Sequence, residues 1–241
     1  MNDSSLIKIP LSGQKSLSVQ QQIAYALPAL GTFFLIGPVA LIQGVYATYF
    51  GLNLTSIAMV LLIARLFDGV TDPLIGYLSD CYQTRRGSRK IFIASGGVLM
   101  IFSGYFLYVP VNPDALTTST QVSVIYFLIF YLLFFLSSTI FDIPHLAWAT
   151  ELTATPTDRN NLFSWRAAMV SIGSLLIYVV PLLPFFESNS ITPKTLQWTV
   201  LASAFLILPT LLISLKLVPN QLGDQNEPST AQKHASTLRL P

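Results

Sequence analysis

Long apolar stretches separated by short polar connections set the pattern of this chain. Each stretch has about 20 residues or more, the length that an α-helix needs to cross the roughly 30 Å hydrocarbon core of a bilayer. The stretches predict six transmembrane helices, over residues 23–50, 57–79, 91–109, 122–148, 163–186 and 196–218. We therefore expect an all-α membrane protein that folds as a six-transmembrane-helix bundle over residues 21–218.

Positive charges lie on alternate polar connections, and this alternation sets the expected orientation. One set of connections comprises both tails, the 80–90 loop and the 149–166 connection, and it holds Lys8, Lys15, Arg85, Arg86, Arg89, Lys90, Arg159, Arg166, Lys216, Lys233 and Arg239. The three other loops hold only Lys194. Lys and Arg concentrate in cytoplasmic loops, so both termini are predicted to be cytoplasmic in a multi-pass protein of the plasma (inner) membrane. Residues 1–20 then form a short cytoplasmic tail, and the polar residues 219–241 form a second, disordered one.

Composition agrees with a membrane protein and removes several classes of function. Hydrophobic residues make up 52% of the chain and charged residues 10%, whereas soluble domains carry roughly 25% charge. The single cysteine, Cys81, excludes an internal disulfide and a multi-cysteine metal site. No basic patch is interleaved with aromatic residues, so we expect a lipid bilayer as a partner and no nucleic acid.

The second apolar stretch contains three ionisable residues, Arg65, Asp68 and Asp72. At about 100° per residue they fall within about 60° of one another, on one face of the helix. Each charge in the membrane centre costs at least about 2.5 kcal/mol, and a cation or proton bound in a water-filled cavity would offset that cost. In a simpler alternative, Arg65 neutralises Asp68 and Asp72 faces an aqueous vestibule. Pro73 removes a backbone hydrogen bond and predicts a bend beside the acids.

A third intramembrane acid, Asp142, lies in the second half of the fourth apolar stretch. Thr139 lies about one turn before it and offers an uncharged oxygen beside a carboxylate, a combination that suits Na⁺. In the alternative, Thr139 bonds its own helix and Asp142 pairs with Arg65 or Arg166. The neighbouring His145 is either part of a proton relay or structural, and Arg166 either binds a substrate hydroxyl or reaches to lipid headgroups.

An enzyme is not expected. An intramembrane aspartyl protease would also place two acids on facing helices, but it requires a Gly-x-Gly-Asp motif. Here Asp72 follows Thr71 and Asp142 follows Phe141. We therefore predict no catalytic residue, no cofactor and no metal beyond a coupling cation.

Two motifs gather these residues. The first runs through the second stretch and the loop after it, as Arg65-x-x-Asp68-x-x-x-Asp72-Pro73-x-x-Gly76-x-x-x-Asp80 followed by Arg85-Arg86-Gly87-x-Arg89. The second consists of Asp142-Ile143-Pro144, Glu151-Leu152-Thr153, Asp158-Arg159 and Arg166. Together they closely resemble the glycoside-pentoside-hexuronide:cation symporters, a melibiose permease-like family of the major facilitator superfamily. The order and lengths of the six stretches resemble the amino-terminal half of that family.

The resemblance implies a function and its residues. It implies a cation-coupled symporter of a sugar or glycoside, with Na⁺ or H⁺ as the coupling ion. The cation site would contain Asp68, Asp72 and Thr139, to which we add Thr71. The substrate site would contain Asp142 and Arg166, to which we add Tyr25 and Thr32. Structural or gating roles would fall to Arg65, Gly76, Asp80, Arg85, Arg86, Gly87, Arg89, Glu151, Asp158 and Arg159.

Length is the main departure from the resemblance. Family members have about twelve helices in two bundles, and alternating access needs the two bundles to rock against each other. We therefore expect either an N-terminal half that works with a C-terminal half bundle or a second copy, or a truncated remnant or scaffold that does not transport. A sugar-binding acid expected in helix 1 is also missing, since the corresponding run is Gly31-Thr32-Phe33.

Overall fold

A computed structural model describes residues 16–110, 122–184 and 191–221. The helices are α1 Val19–Ile36, α2 Val39–Tyr49, α3 Leu54–Arg86, α4 Lys90–Tyr108, α5 Val124–Glu151, α6 Pro156–Val179 and α7 Pro193–Leu217, with a 3₁₀ turn at Val180–Leu182. With α1 and α2 taken as one span, six helical segments within the described residues are long and apolar enough to cross a membrane. The predicted all-α, six-helix membrane fold is confirmed.

Two connections are shorter than predicted because helix continues into them. The basic loop expected over 80–90 shrinks to three residues, since α3 runs on to Arg86 and stops where Gly87 adopts φ +70°, a conformation that favours glycine. In the connection expected between 149 and 162, α5 extends to Glu151 and α6 begins at Pro156. The Thr155 hydroxyl caps α6 by accepting from the Asp158 amide.

Other boundaries lie within a few residues of the prediction, apart from one interruption. The first span is divided at Gly37 and Pro38 into α1 and α2. The tails expected over 1–20 and 219–241 fall mostly on 1–15 and 222–241, outside the described residues, as does the expected helix end at 186.

The helices pack in a series that leaves a cleft. Helix α1 packs against α6 and α7, α4 packs against α7 and α5, and α3 packs along α5. The two ends of this series, α6 and α3, do not pack along each other in the described part of the chain, and α5 touches α6 only briefly. The cleft between them is therefore backed by α1 and α5.

Close approach between α1 and α6 depends on Gly173. A Cβ at this position would overlap the Leu30 carbonyl oxygen and lie 3.1 Å from the Phe34 amide nitrogen, so backbone atoms would have to move. We expect Gly173→Ala to destabilise the fold by about 1–3 kcal/mol, the usual cost of overpacking. A lower thermal unfolding midpoint of the detergent-solubilised protein would show this.

Gly44 provides the matched control for that substitution, because a Cβ there meets no atom within 4 Å. Gly44→Ala should leave the midpoint unchanged or raise it slightly, since Ala favours helix over Gly. An unchanged midpoint for Gly173→Ala would contradict the close packing of α1 on α6.

Candidate functional site

A cavity of about 210 Å³ lies between α1, α3 and α5. Its lining residues are Phe33, Ile36, Asp68, Asp72, Phe135, Ser138, Thr139, Asp142 and Ile143. Because α3 packs along α5, the acids of the second and fourth spans reach the same space. The cavity thus combines three carboxylates and two hydroxyls with an apolar wall.

One end of the cavity offers oxygen atoms that suit a small cation. The Thr139 hydroxyl donates to Asp72 Oδ1 at 3.0 Å and joins α5 to α3. The Asp68 Oδ2 atom lies 3.4 Å from Arg65 Nη1, while Asp68 Oδ1 is buried without a hydrogen-bond partner. Hard cations prefer oxygen ligands, and this end supplies them from two carboxylates and a hydroxyl.

Arg65 only partly offsets these acids. Its side chain is 70% exposed and its guanidinium lies 5.3 Å from the centre of the Phe135 ring. The pairing of Arg65 with Asp68 is the one that the simpler alternative expected, but Thr139 bonds Asp72 and not its own helix. The Arg65 guanidinium therefore pairs with Asp68, while Asp72 accepts from Thr139.

The other end of the cavity contains an ion pair between Asp142 and Arg166. Asp142 keeps 34% of its side chain exposed, and the Arg166 guanidinium lies 5.7 Å from the centre of the Phe33 ring. A carboxylate and a planar guanidinium beside an aromatic face are groups that can bind hydroxyls and a sugar ring. His145 is fully buried beside this pair, as expected of a structural histidine.

Three residues predicted at the site are buried and bond backbone carbonyl oxygens. Tyr25 and Thr32 are fully buried, and their hydroxyls donate to the carbonyl oxygens of His145 and of the α1 backbone. Neither is among the residues that line the cavity, and their role in substrate binding stays a prediction. Thr71 is also buried, and its hydroxyl donates to the Phe67 carbonyl oxygen of its own helix.

Arg89 immediately precedes α4 and connects it to α3 and α5. Its guanidinium lies 2.6 Å from Asp80 Oδ1, 2.7 Å from Glu151 Oε1 and 2.8 Å from the Ser79 hydroxyl. Burial acts to lower the pKa of Arg89, but its bonds to Glu151 and Asp80 outweigh burial and raise that pKa. This cluster joins the carboxyl-terminal part of α3 to the end of α5, and the predicted gating role of its residues stays a prediction.

The other predicted gating residues have local roles or face solvent. Asp158 accepts from the Thr155 hydroxyl at 2.7 Å within the first turn of α6, a contact that stabilises the start of that helix. Arg159 Nε lies 3.5 Å from the Thr153 hydroxyl. A Cβ at Gly76 would lie 3.8 Å from Ile143, so this glycine faces α5. Arg85 and Arg86 are exposed in the last turn of α3.

We expect Arg89→Gln to destabilise the protein by about 3 kcal/mol, because it leaves the mostly buried Glu151 without its cation. Asp80 is 66% exposed and should contribute little to that loss. The measurement is the unfolding midpoint in detergent. Arg86 is exposed, so the unfolding midpoint of Arg86→Gln should equal that of the wild type. Equal midpoints for Arg89→Gln and Arg86→Gln would exclude the connecting role of Arg89.

Sequence reasoning missed a second cation in the same turn. Lys90 Nζ donates to the carbonyl oxygens of Leu215 at 2.8 Å and Val218 at 2.6 Å, at the end of α7. The Ser88 hydroxyl bonds Asn220 Oδ1 at 3.0 Å beside it. The partners lie more than 100 residues away, and no local signal in the sequence indicates such pairs.

Comparisons with known proteins agree with these features. The family described as MFS/sugar transport protein matches residues 24–240. The putative glycoside/cation symporter YagG of Escherichia coli is 31% identical over 67% of this chain and 34% of its own length. The inner membrane symporter YicJ of the same organism is 28% identical over 68% of the chain and 35% of its own length. The zebrafish sodium-dependent lysophosphatidylcholine symporter 1-A is 25% identical over 73% of this chain and 32% of its own length. The chain spans about half the length of the curated relatives it matches.

Proposed function

The chain belongs to the MFS/sugar transport protein family, a family of transporters and not of enzymes, and we propose that it is the cation-binding half of a sugar or glycoside symporter. The observation that carries this proposal is the shared cavity, where acids from α3 and α5 meet and Thr139 bonds Asp72. The multi-pass membrane fold agrees with it. We assign the cation to the Asp68 and Asp72 end and the substrate to the Asp142 and Arg166 end.

Coupling follows from electrostatics within one small space. Without a bound ion, Asp68 and Asp72 repel each other, and the Arg65 guanidinium pairs with Asp68. A Na⁺ ion or a proton removes that repulsion and stabilises α3 against α5. The substrate hydroxyls then bind Asp142 and Arg166 in the same cavity. Each ligand orders side chains of the cavity wall that the other ligand also contacts. Binding of one therefore raises the affinity for the other.

A second bundle is part of the proposal. The cleft between α3 and α6 leaves charged side chains such as Arg65 open, and a helix bundle exposes such groups to lipid only at high cost. A C-terminal half bundle or a second copy would cover the cleft and allow alternating access. We propose the plasma (inner) membrane with both termini cytoplasmic, as the distribution of Lys and Arg indicates.

Counterflow of labelled sugars and glycosides in vesicles tests the proposal. The chain is expressed alone and together with the six carboxyl-terminal spans of a full-length relative, with and without Na⁺ and at two proton gradients. Uptake that is saturable and stimulated by one of these cations is the expected result.

A non-transporting scaffold is the second candidate, favoured by the pairing of Asp68 with Arg65 and of Asp142 with Arg166, which offsets two of the acids without a ligand. It predicts that the chain reaches the membrane but supports no counterflow with either partner. Absence of counterflow for every sugar and glycoside tested, in folded protein, would replace the symporter proposal with this one.

A further inference from the structure

His145 is packed on both faces by aromatic rings. The Tyr25 ring stacks on it at 4.3 Å between centres and 12° between planes, and the Phe141 ring lies on it at 5.2 Å and 26°. The Tyr25 hydroxyl also donates to the His145 carbonyl oxygen at 2.7 Å. The imidazole therefore has a fixed plane and a fixed position in α5.

The hydrogen bonds of His145 determine its tautomer. Its Nε2 atom lies 3.0 Å from the Tyr25 carbonyl oxygen, which can only accept, so Nε2 carries the proton. Its Nδ1 atom lies 3.4 Å from Arg166 Nε, which can only donate. Nδ1 therefore presents a lone pair to Arg166, and the imidazole is neutral in this arrangement.

Arg166 is held along two edges of its guanidinium. Nε donates to His145, Nη2 donates to Asp142, and the Phe33 ring lies beneath the plane. These two bonds use two of the five N–H groups of the guanidinium. A guanidinium fixed in this way keeps its remaining N–H groups in one orientation, so less entropy is lost when a substrate binds.

We propose that His145 is a positioning residue: its Nδ1 lone pair orients the Arg166 guanidinium for the Asp142 pair and for the substrate. The proposal rests on the proposed function for the role of Arg166 toward the substrate. The orientation of Arg166 itself can be measured without any transport.

Two substitutions separate the acceptor of His145 from its packing. His145→Phe keeps a ring between Tyr25 and Phe141 but removes the acceptor. His145→Asn loses the ring but keeps an amide oxygen that can take the place of Nδ1. A positioning role predicts that Phe is the more harmful replacement, whereas a packing role predicts that Asn is.

The readout is the rate at which phenylglyoxal modifies Arg166 in membranes, followed by mass spectrometry of its peptide. We expect His145→Phe to raise this rate about three- to tenfold, as loss of one ordinary hydrogen bond would do, and His145→Asn to stay within about twofold of wild type. In the same samples, the exposed Arg86 should react at an unchanged rate and the buried Arg89 should remain slow.

Equal Arg166 rates in wild type and His145→Phe, or a faster rate in His145→Asn than in His145→Phe, would overturn the proposal. Faster modification of Arg89 would indicate that Phe disturbs the fold, and His145→Leu then serves as the variant without an acceptor. In a carrier that passes the counterflow test, His145→Phe should raise the substrate KM by the same factor and leave the maximal rate within about twofold. Absence of counterflow in wild type bears on the proposed function alone, because the labelling result does not depend on it.

Discussion

Asp72→Asn is expected to abolish the dependence of substrate uptake on Na⁺ or H⁺ and to reduce cation-driven uptake at least about tenfold. Two unit charges at 4 Å interact by about 4 kcal/mol near a protein surface, which exceeds what a tenfold change requires. The asparagine keeps an oxygen that can accept from Thr139, so the variant removes the charge and preserves the bond between α3 and α5. Counterflow measured over a range of Na⁺ concentrations and pH values would show the effect.

Asp68→Asn tests the same site from the other carboxylate. We expect the same direction of change, because it too removes one of the two negative charges at this end of the cavity. Asp158→Asn is the matched control, since that carboxylate lies in the first turn of α6 and bonds Thr155. Uptake that remains equally cation-dependent in Asp68→Asn and Asp72→Asn would reject the cation site.

The second large effect is expected at the Asp142 and Arg166 pair. Either Asp142→Asn or Arg166→Gln leaves a charge without its partner in a mostly buried place, which costs about 3–5 kcal/mol. Each single variant should therefore unfold at a lower temperature and lose at least about tenfold in substrate uptake. Unfolding midpoints in detergent and counterflow rates would be measured on the same preparations.

The double variant Asp142→Asn with Arg166→Gln separates stability from recognition. It has no unpaired charge, so its unfolding midpoint should return toward wild type. Its uptake should stay low, because neither the carboxylate nor the guanidinium remains to bind substrate. Recovery of uptake together with stability would mean that the pair is only structural.

The six spans could be predicted because each apolar stretch exceeds the length needed to cross a bilayer. The common cavity of α3 and α5 could be anticipated from the cost of three intramembrane acids, since each must avoid lipid. The boundaries of α3 could not, because hydropathy marks where a helix leaves the membrane and not where it ends. Arg85 and Arg86 are good helix formers even where the helix is exposed to water, so α3 continues up to Gly87.

The side-chain contacts of the site were harder to predict. A membrane helix is apolar on every side, so its hydrophobic pattern does not show which face packs against protein. The pattern therefore could not show that Tyr25 and Thr32, which were predicted at the substrate site, are fully buried. The sequence left open whether Asp142 pairs with Arg65 or Arg166, and only the position of α6 beside α5 decides for Arg166.

The length of α3 ties its ionisable middle to its basic end. Its 33 residues extend about 50 Å, while the hydrocarbon core is roughly 30 Å thick. Asp72 and Arg86 are 14 residues apart, or about 21 Å along the same helix. A tilt of a few degrees about the acid therefore displaces the far tip by one or two ångströms. A tilt of α3 that accompanies binding of one ion at Asp72 would therefore move Arg86 at the water-facing surface.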